Sequence, residues 1–214
     1  FLNACSIVSL FSILFILFHE NHHNYFQITN LCKFQLLLFL FLFYPNPMIS
    51  YEQFTLANGL QVIVHEDPTT TLAVMDVIYD VGSRDEDPER TGFAHLFEHL
   101  MFSGSVHIPS FDQALQRVGG ENNAFTSNDI TNYYITLPAS NLETAFWLES
   151  DRMLSLAFNE QGLEVQRSVV IEEFKQRYLN QPYGDVWLKL RPMAYKEHPY
   201  RWATIGKEIK HIEE

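Results

Sequence analysis

The stretch "TGFAHLFEHLMFSG", Thr91 to Gly104, restricts the fold more than any other part of the chain. Placed on a helix at roughly 100° per residue, Phe93, Leu96, Phe97, Leu100 and Met101 share one arc, and His95, Glu98 and His99 share the opposite arc. The apolar arc has to be buried. The polar arc carries two imidazoles one turn apart, a spacing from which both reach a single tetrahedral ion. An ordinary solvated helix face mixes charges, but no Lys or Arg occurs between Thr91 and Phe102. The pattern therefore points to a metal site. The order is H-x-x-E-H, the inverse of the usual zinc-protease helix, with the carboxylate just before the second His and placed to take a proton from an attacking water.

A catalytic zinc site takes three protein ligands and keeps one position open. The segment "EQGLEVQRSVVIEEFKQRY" supplies Glu160, Glu164, Glu172 and Glu173 as candidates, and spacing alone does not choose among them. From residue 48 onward the other histidines, His65, His107, His198 and His211, have no ligand spacing and read as ordinary strand-end, loop or charged-tail residues.

Elsewhere the chain reads as strands followed by helices, an α+β arrangement. "YEQFTLANGLQVIVHED" predicts a hairpin turning at Asn58-Gly59. "TLAVMDVIYDVG" is apolar on both faces, as a central strand is, and "SRDEDPERTG" is a polar loop. "SFDQALQRVGG" is a short helix with Ser110 as N-cap and Gly119-Gly120 as its stop. "NNAFTSNDITNYYITLP" predicts two strands around a turn near Asn128-Asp129. Helices follow over Asn141–Leu156 and from about Glu160 to Tyr178, and the tail ends inside another.

The formal net charge of −12 argues against a nucleic-acid or anionic-membrane binder. Residues 1–47 hold both cysteines, Cys5 and Cys32, and only two charges, Glu20 and Lys33. Their apolar runs, Ile7–Phe18 and Phe34–Tyr44, are each shorter than the ~18 residues of a membrane-spanning helix. With no basic segment or cleavage site of a secretory signal, residues 1–47 read as non-native upstream translation or a poorly defined apolar segment. Residues 48–214 then form the domain proper, truncated at its C-terminal end. That domain has no disulfide or thiolate site. A cytoplasmic location follows if Met48 is the true start, and a membrane-anchored or exported one if residues 1–47 are native.

"HLFEH", then "GGENNAFTSNDITNYY", then "QRSVVIEEF" resemble, in order, the catalytic N-terminal half of the pitrilysin/insulinase family of zinc metallopeptidases. The resemblance runs from about Met48 to the end. It implies one half of a two-domain metallopeptidase, a mostly antiparallel sheet packed with helices, using Zn²⁺ to cleave peptides or unfolded segments. On this pattern His95, His99 and Glu173 are the metal ligands and Glu98 is the general base. Asn123 and Ala124 match substrate-contact positions on a strand whose edge takes up an extended peptide. A glutamate that assists the site in the family is replaced here by Gln166, about 20° from Glu173 on the same helix face. Arg177 lies on that face too, either orienting Glu173 or standing as a plain surface arginine. Phe102 either lines the pocket or packs. The partners implied are a peptide substrate and a homologous C-terminal half or partner subunit. A non-catalytic peptide-binding subunit is the alternative reading. A zinc-stabilised structural domain would need a fourth ligand, and none is evident.

Overall fold

The computed structural model describes residues 49–213; the expectations for residues 1–47 lie outside them. Residues up to Asp67 and residues from Pro68 onward form two compact units.

In the first unit, β1 (Glu52–Thr55) and β2 (Gln61–Val64) pair antiparallel, Glu52 opposite Val64. The turn is where the sequence puts it. Gly59 takes φ +92° and the Asn58 side chain accepts the Leu60 N–H at 3.1 Å, the left-handed backbone and side-chain capping that Asn-Gly supplies.

The second unit is built on a three-stranded antiparallel sheet in the order β3-β5-β4. These strands are β3 (Leu72–Tyr79), β4 (Glu121–Thr126) and β5 (Thr131–Pro138). The β4–β5 hairpin turns over residues 127–130, as expected. β3 is a correction: its apolar run predicted a central strand, but among the described residues it pairs only with β5 and stands at an edge. Leu72, Val74 and Ile78, all on one face, are exposed, and only the alternate residues are half-buried. Apolar residues on both faces thus record composition here, and β5, whose first three residues are all buried, is the central strand.

Among the described residues there are six α-helices: α1 (Phe93–Met101), α2 (Phe111–Arg117), α3 (Leu142–Leu154), α4 (Glu160–Phe174), α5 (Val186–Ala194) and α6 (Lys210–Glu213). Asn159 caps α4 by accepting the Gly162 N–H at 2.6 Å. Ser110 sits at the N-cap position of α2, but its hydroxyl makes no capping bond.

Two apolar clusters divide the work. Ile135 and Leu137 of β5 pack with Phe111 and Leu115 of α2 and Ala145 and Leu148 of α3. Leu96 and Leu100 of α1 pack with Val170 and Phe174 of α4, Ala203, Ile205 and Ile212. The second cluster positions the site, because it fixes α1 against α4. The helix-wheel expectation for α1 is met only in part. Leu96, Leu100 and Met101 are buried, but Phe93 and Phe97 are 39% and 47% exposed, and Phe97 rests on Phe158 with ring centroids 5.8 Å apart. The polar arc, meanwhile, is buried: His95 and Glu98 are each 9% exposed. α1 is covered on its Leu and His/Glu sides and open along the Phe93/Phe97 side.

The start of α1 depends on one glycine. Gly92 takes φ +94°, and a Cβ there would lie 2.5 Å from Ile212 Cδ1 and 2.6 Å from the Ile205 carbonyl oxygen. Gly92→Ala is expected to cost at least the ~1–3 kcal/mol of a strained left-handed residue, with the clash adding to it. Urea denaturation of the variant against the parent measures this.

Candidate metal centre

α1 brings two side chains to its contact with α4, and α4 brings one. His95 and His99 lie one turn apart on α1, their rings T-shaped with centroids 4.7 Å apart. Glu173 lies in the last turn of α4, three residues beyond the buried Val170 and beside the buried Phe174. Its Oε2 is 3.7 Å from His95 Nε2 and 3.4 Å from His99 Nε2. Among the described residues these three form the group of His, Cys, Asp or Glu whose ligand atoms all fall within 4.8 Å of one another.

The donor set fits a zinc ion on geometry. Ligands at ~2.0–2.1 Å in a tetrahedron sit about 3.3–3.4 Å apart, close to both separations at Glu173. The protonation states fit as well. Burial, with the His99 charge beside it, lowers the His95 pKa to about 4 in spite of Glu173, so the ring is neutral at neutral pH, as a ligand must be. Glu173 is held below the usual glutamate range by His99 first, then by His95 and Arg177, against a burial that opposes them. His95 Nδ1 is buried with no hydrogen-bond partner, so the polar contact of this ring is made through Nε2, toward Glu173.

Of the four glutamates left open by the sequence, only Glu173 faces the histidines. Glu164 pairs with Arg167 at 2.7 Å, Glu172 pairs with Lys175 at 2.6 Å, and Glu160 is exposed in the first turn of α4. Arg177 Nη2 is 3.1 Å from Glu173 Oε1, and the other oxygen, Oε2, is the one nearest the histidines. The predicted helix through Tyr178 runs on as a π turn, Lys175–Leu179, which carries Arg177. Gln166 is half-buried two turns earlier, and no hydrogen bond joins it to the three.

Glu98 is on α1 beside His99, 9% exposed. Burial raises its pKa, against a hydrogen bond from Thr126 that lowers it. Thr126 Oγ1 donates to Glu98 Oε2. Asn123 and Ala124 lie three and two residues before Thr126 on β4, opposite Tyr134 and Tyr133 of β5. Asn123 is exposed, and its side-chain oxygen accepts the Ala124 N–H at 2.9 Å. Among the described residues β4 pairs only with β5, so its other edge is open. Phe102 packs its ring 6.1 Å from that of Tyr133.

Three supporting residues were not legible in the sequence. Thr126 sits in an ordinary-looking strand. Glu86 lies in the acidic loop, where nothing separates it from Asp85, Asp87 and Glu89. Its Oε2 accepts the Gly92 N–H at 3.0 Å, its Oε1 accepts the Ala94 N–H at 2.8 Å, and Trp202 Nε1 donates to it at 3.1 Å. It thus caps the N-terminus of α1 from outside the helix. His211, expected to be a plain tail residue, has Nδ1 2.9 Å from Thr91 Oγ1 and accepts the Thr91 N–H at 3.2 Å.

Comparisons with known proteins place the chain in a family. The profile of the family described as insulinase (peptidase family M16) matches residues 61–207. The chain belongs to that family. It is 40% identical over 159 residues to the zinc protease PqqE of Helicobacter pylori, covering 73% of this chain and 36% of the relative. It is 30% identical over 159 residues to the uncharacterized zinc protease YmxG of Bacillus subtilis, covering 73% and 39%. A probable mitochondrial-processing peptidase subunit beta of Arabidopsis thaliana is 32% identical over 124 residues, covering 57% and 23%. The crystal structure of a protease from Helicobacter pylori superposes with a TM-score of 0.73 at 38% identity, covering 77% of this chain and 40% of that one. The chain thus spans about two-fifths or less of the length of these relatives. The α+β fold is that of a half of the family's proteins, and Zn²⁺ is the cofactor the family and the His-His-Glu cluster imply.

Burial pushes the Glu86 pKa up to about 7, although the N–H groups of Ala94, Gly92 and Trp202 pull it down. An acid whose pKa is higher folded than unfolded binds more protons in the native state. Its contribution is complete below the ordinary value of ~4.5 and is lost as pH rises through about 7. Urea denaturation across pH 4.5 to 7 should show the parent losing stability relative to Glu86→Gln as pH rises.

Proposed function

We propose that this chain is the zinc-binding, catalytic part of an endopeptidase that hydrolyses peptides or unfolded segments bound in extended form. The observation that carries the reading is the convergence of His95, His99 and Glu173 from two helices, with the buried carboxylate of Glu98 on the same helix. His95, His99 and Glu173 hold the ion, and Arg177 orients Glu173 through its second oxygen. Zinc, when bound, polarises the scissile carbonyl and makes water acidic enough to attack near neutral pH.

Glu98 takes the proton of the attacking water and returns it to the leaving amine nitrogen. Its raised pKa makes it a stronger base than an exposed glutamate, and suits a group that must both take and give a proton. The open edge of β4 supports the substrate class. A peptide added there gains main-chain hydrogen bonds whatever its sequence, with Asn123 and Ala124 at its side. Gln166 keeps the shape of the family's assisting glutamate without its charge and leaves the three ligands intact. A homologous half, in the same polypeptide or as a partner subunit, supplies the remaining substrate contacts. The presence of Glu98 together with all three ligands favours the enzyme over the non-catalytic subunit.

Glu98→Gln in the full-length protein should retain zinc and lose about 10²–10⁴-fold in kcat. Glu173→Gln should lower zinc content, and removing the metal with a chelator should abolish cleavage until zinc is restored. Metal analysis alongside peptide-cleavage assays reads all three. Zinc-loaded wild-type protein that cleaves no peptide would overturn the proposal.

Activity should also fall on the acid side as Glu98 becomes protonated. A pH–rate profile for a neutral peptide checks it.

A further inference from the structure

Glu98 is reached by one side chain that does not belong to the metal cluster, and that side chain is on the strand proposed to receive substrate. Along β4 the residues alternate: Glu121, Asn123 and Phe125 are exposed, and Asn122, Ala124 and Thr126 are half-buried on the other face. Thr126, the last of the inward set, donates its hydroxyl to Glu98 Oε2. An ionised carboxylate has no proton to give, so the single hydroxyl proton of Thr126 is committed to this bond. One oxygen of Glu98 is thereby tied to β4, and Oε1 is left for the reacting water.

Thr126 is itself held with unusual thoroughness. It pairs with Thr131 across the hairpin, and the tip that follows is gripped from three directions. The Ser83 N–H donates to Ser127 O at 3.2 Å and the Arg84 N–H to Asn128 O at 2.9 Å. Asp129 accepts from Arg84 Nη1 at 3.0 Å and from the Tyr200 hydroxyl at 2.6 Å. Arg191 Nη1 donates to the Asn128 side chain at 3.1 Å. The approach is so close at Gly82 that a Cβ there would lie 2.5 Å from Asn128 O. These contacts hold the hairpin tip next to Thr126, whose hydroxyl is engaged by Glu98.

We infer that Thr126 is a positioning residue that couples the substrate-receiving strand to the general base, holding Glu98 by one oxygen so that the other meets the water attacking a peptide laid along β4. The inference rests on the peptidase reading. It makes β4 serve two ends at once, since the strand that aligns the scissile bond also aligns the group that moves the proton.

The test uses the full-length protein with Thr126→Val, which keeps the branched shape and removes the hydroxyl, and Thr126→Ser, which keeps the hydroxyl. With rates normalised to bound zinc, Thr126→Val should lower kcat by about tenfold or more, a change of ~1.4 kcal/mol, with KM within about twofold. Thr126→Ser should recover most of the loss. In the zinc-free protein, isotope-edited infrared spectroscopy should show the Glu98 carboxylate band, assigned by its disappearance in Glu98→Gln, shifted by Thr126→Val and returned by Thr126→Ser. An unchanged kcat in zinc-loaded Thr126→Val would overturn the inference. So would a loss that follows zinc content or folded fraction, or an unmoved infrared band. Failure of the wild-type protein to cleave any peptide overturns the peptidase reading instead, and the infrared comparison still decides whether Thr126 holds Glu98.

Discussion

The contact between α1 and α4 is the constraint on which the rest depends. Leu96 and Leu100 meet Val170 and Phe174 in one buried cluster, and that contact sets the rotation and height of each helix against the other. His95 and His99 come from one side of it and Glu173 from the other. A metal site drawn from residues more than seventy positions apart has no local means of assembling itself, so apolar packing has to bring the ligands to within one ion's reach. The devices around α1 serve the same end. Gly92 lets the helix start against Ile205 and Ile212, Glu86 satisfies its first N–H groups, and the Thr91–His211 contact ties its entry to the last helix.

Burial then does chemical work. The pressure that excludes water from the α1–α4 contact also desolvates His95 and Glu98, and it moves the two in opposite directions. Desolvation disfavours the charged form in each case, so the imidazole loses proton affinity and becomes a good ligand, while the carboxylate gains it and becomes a better base. Glu173 escapes the same fate because it has His99, His95 and Arg177 around it. Three titratable groups within one small volume are thereby given different proton affinities by their neighbours.

The sheet contributes position. β5 is buried at the centre, and β4 lies beside it with its outer edge open. The tip of the β4–β5 hairpin is anchored by Ser83, Arg84, Arg191 and Tyr200. The strand is therefore anchored next to Thr126, where it touches Glu98, and among the described residues its outer edge is unpaired. Exposed apolar side chains on β3 and along the Phe93/Phe97 side of α1 show that burial within the described residues is uneven, and that the site lies on the well-packed side of α1.

The sequence alone determined the elements whose signals are local. A 3.6-residue period placed His95, Glu98 and His99 on one arc of α1. Asn58-Gly59 marked one hairpin, and the β-branched and aromatic residues around Asn128-Asp129 marked another. Family resemblance added Glu173, which spacing could not separate from Glu160, Glu164 and Glu172. Tertiary structure decided everything that depends on which surfaces meet. It decided that β3 is at an edge, since pairing partners are not written in a strand's own composition. It decided that Phe93 and Phe97 stay exposed while the polar arc is buried, since a helix wheel gives the faces but not what covers them. It also decided that Glu86, Thr126 and His211 support the site, since a hydrogen bond between distant residues leaves no periodic trace along the chain.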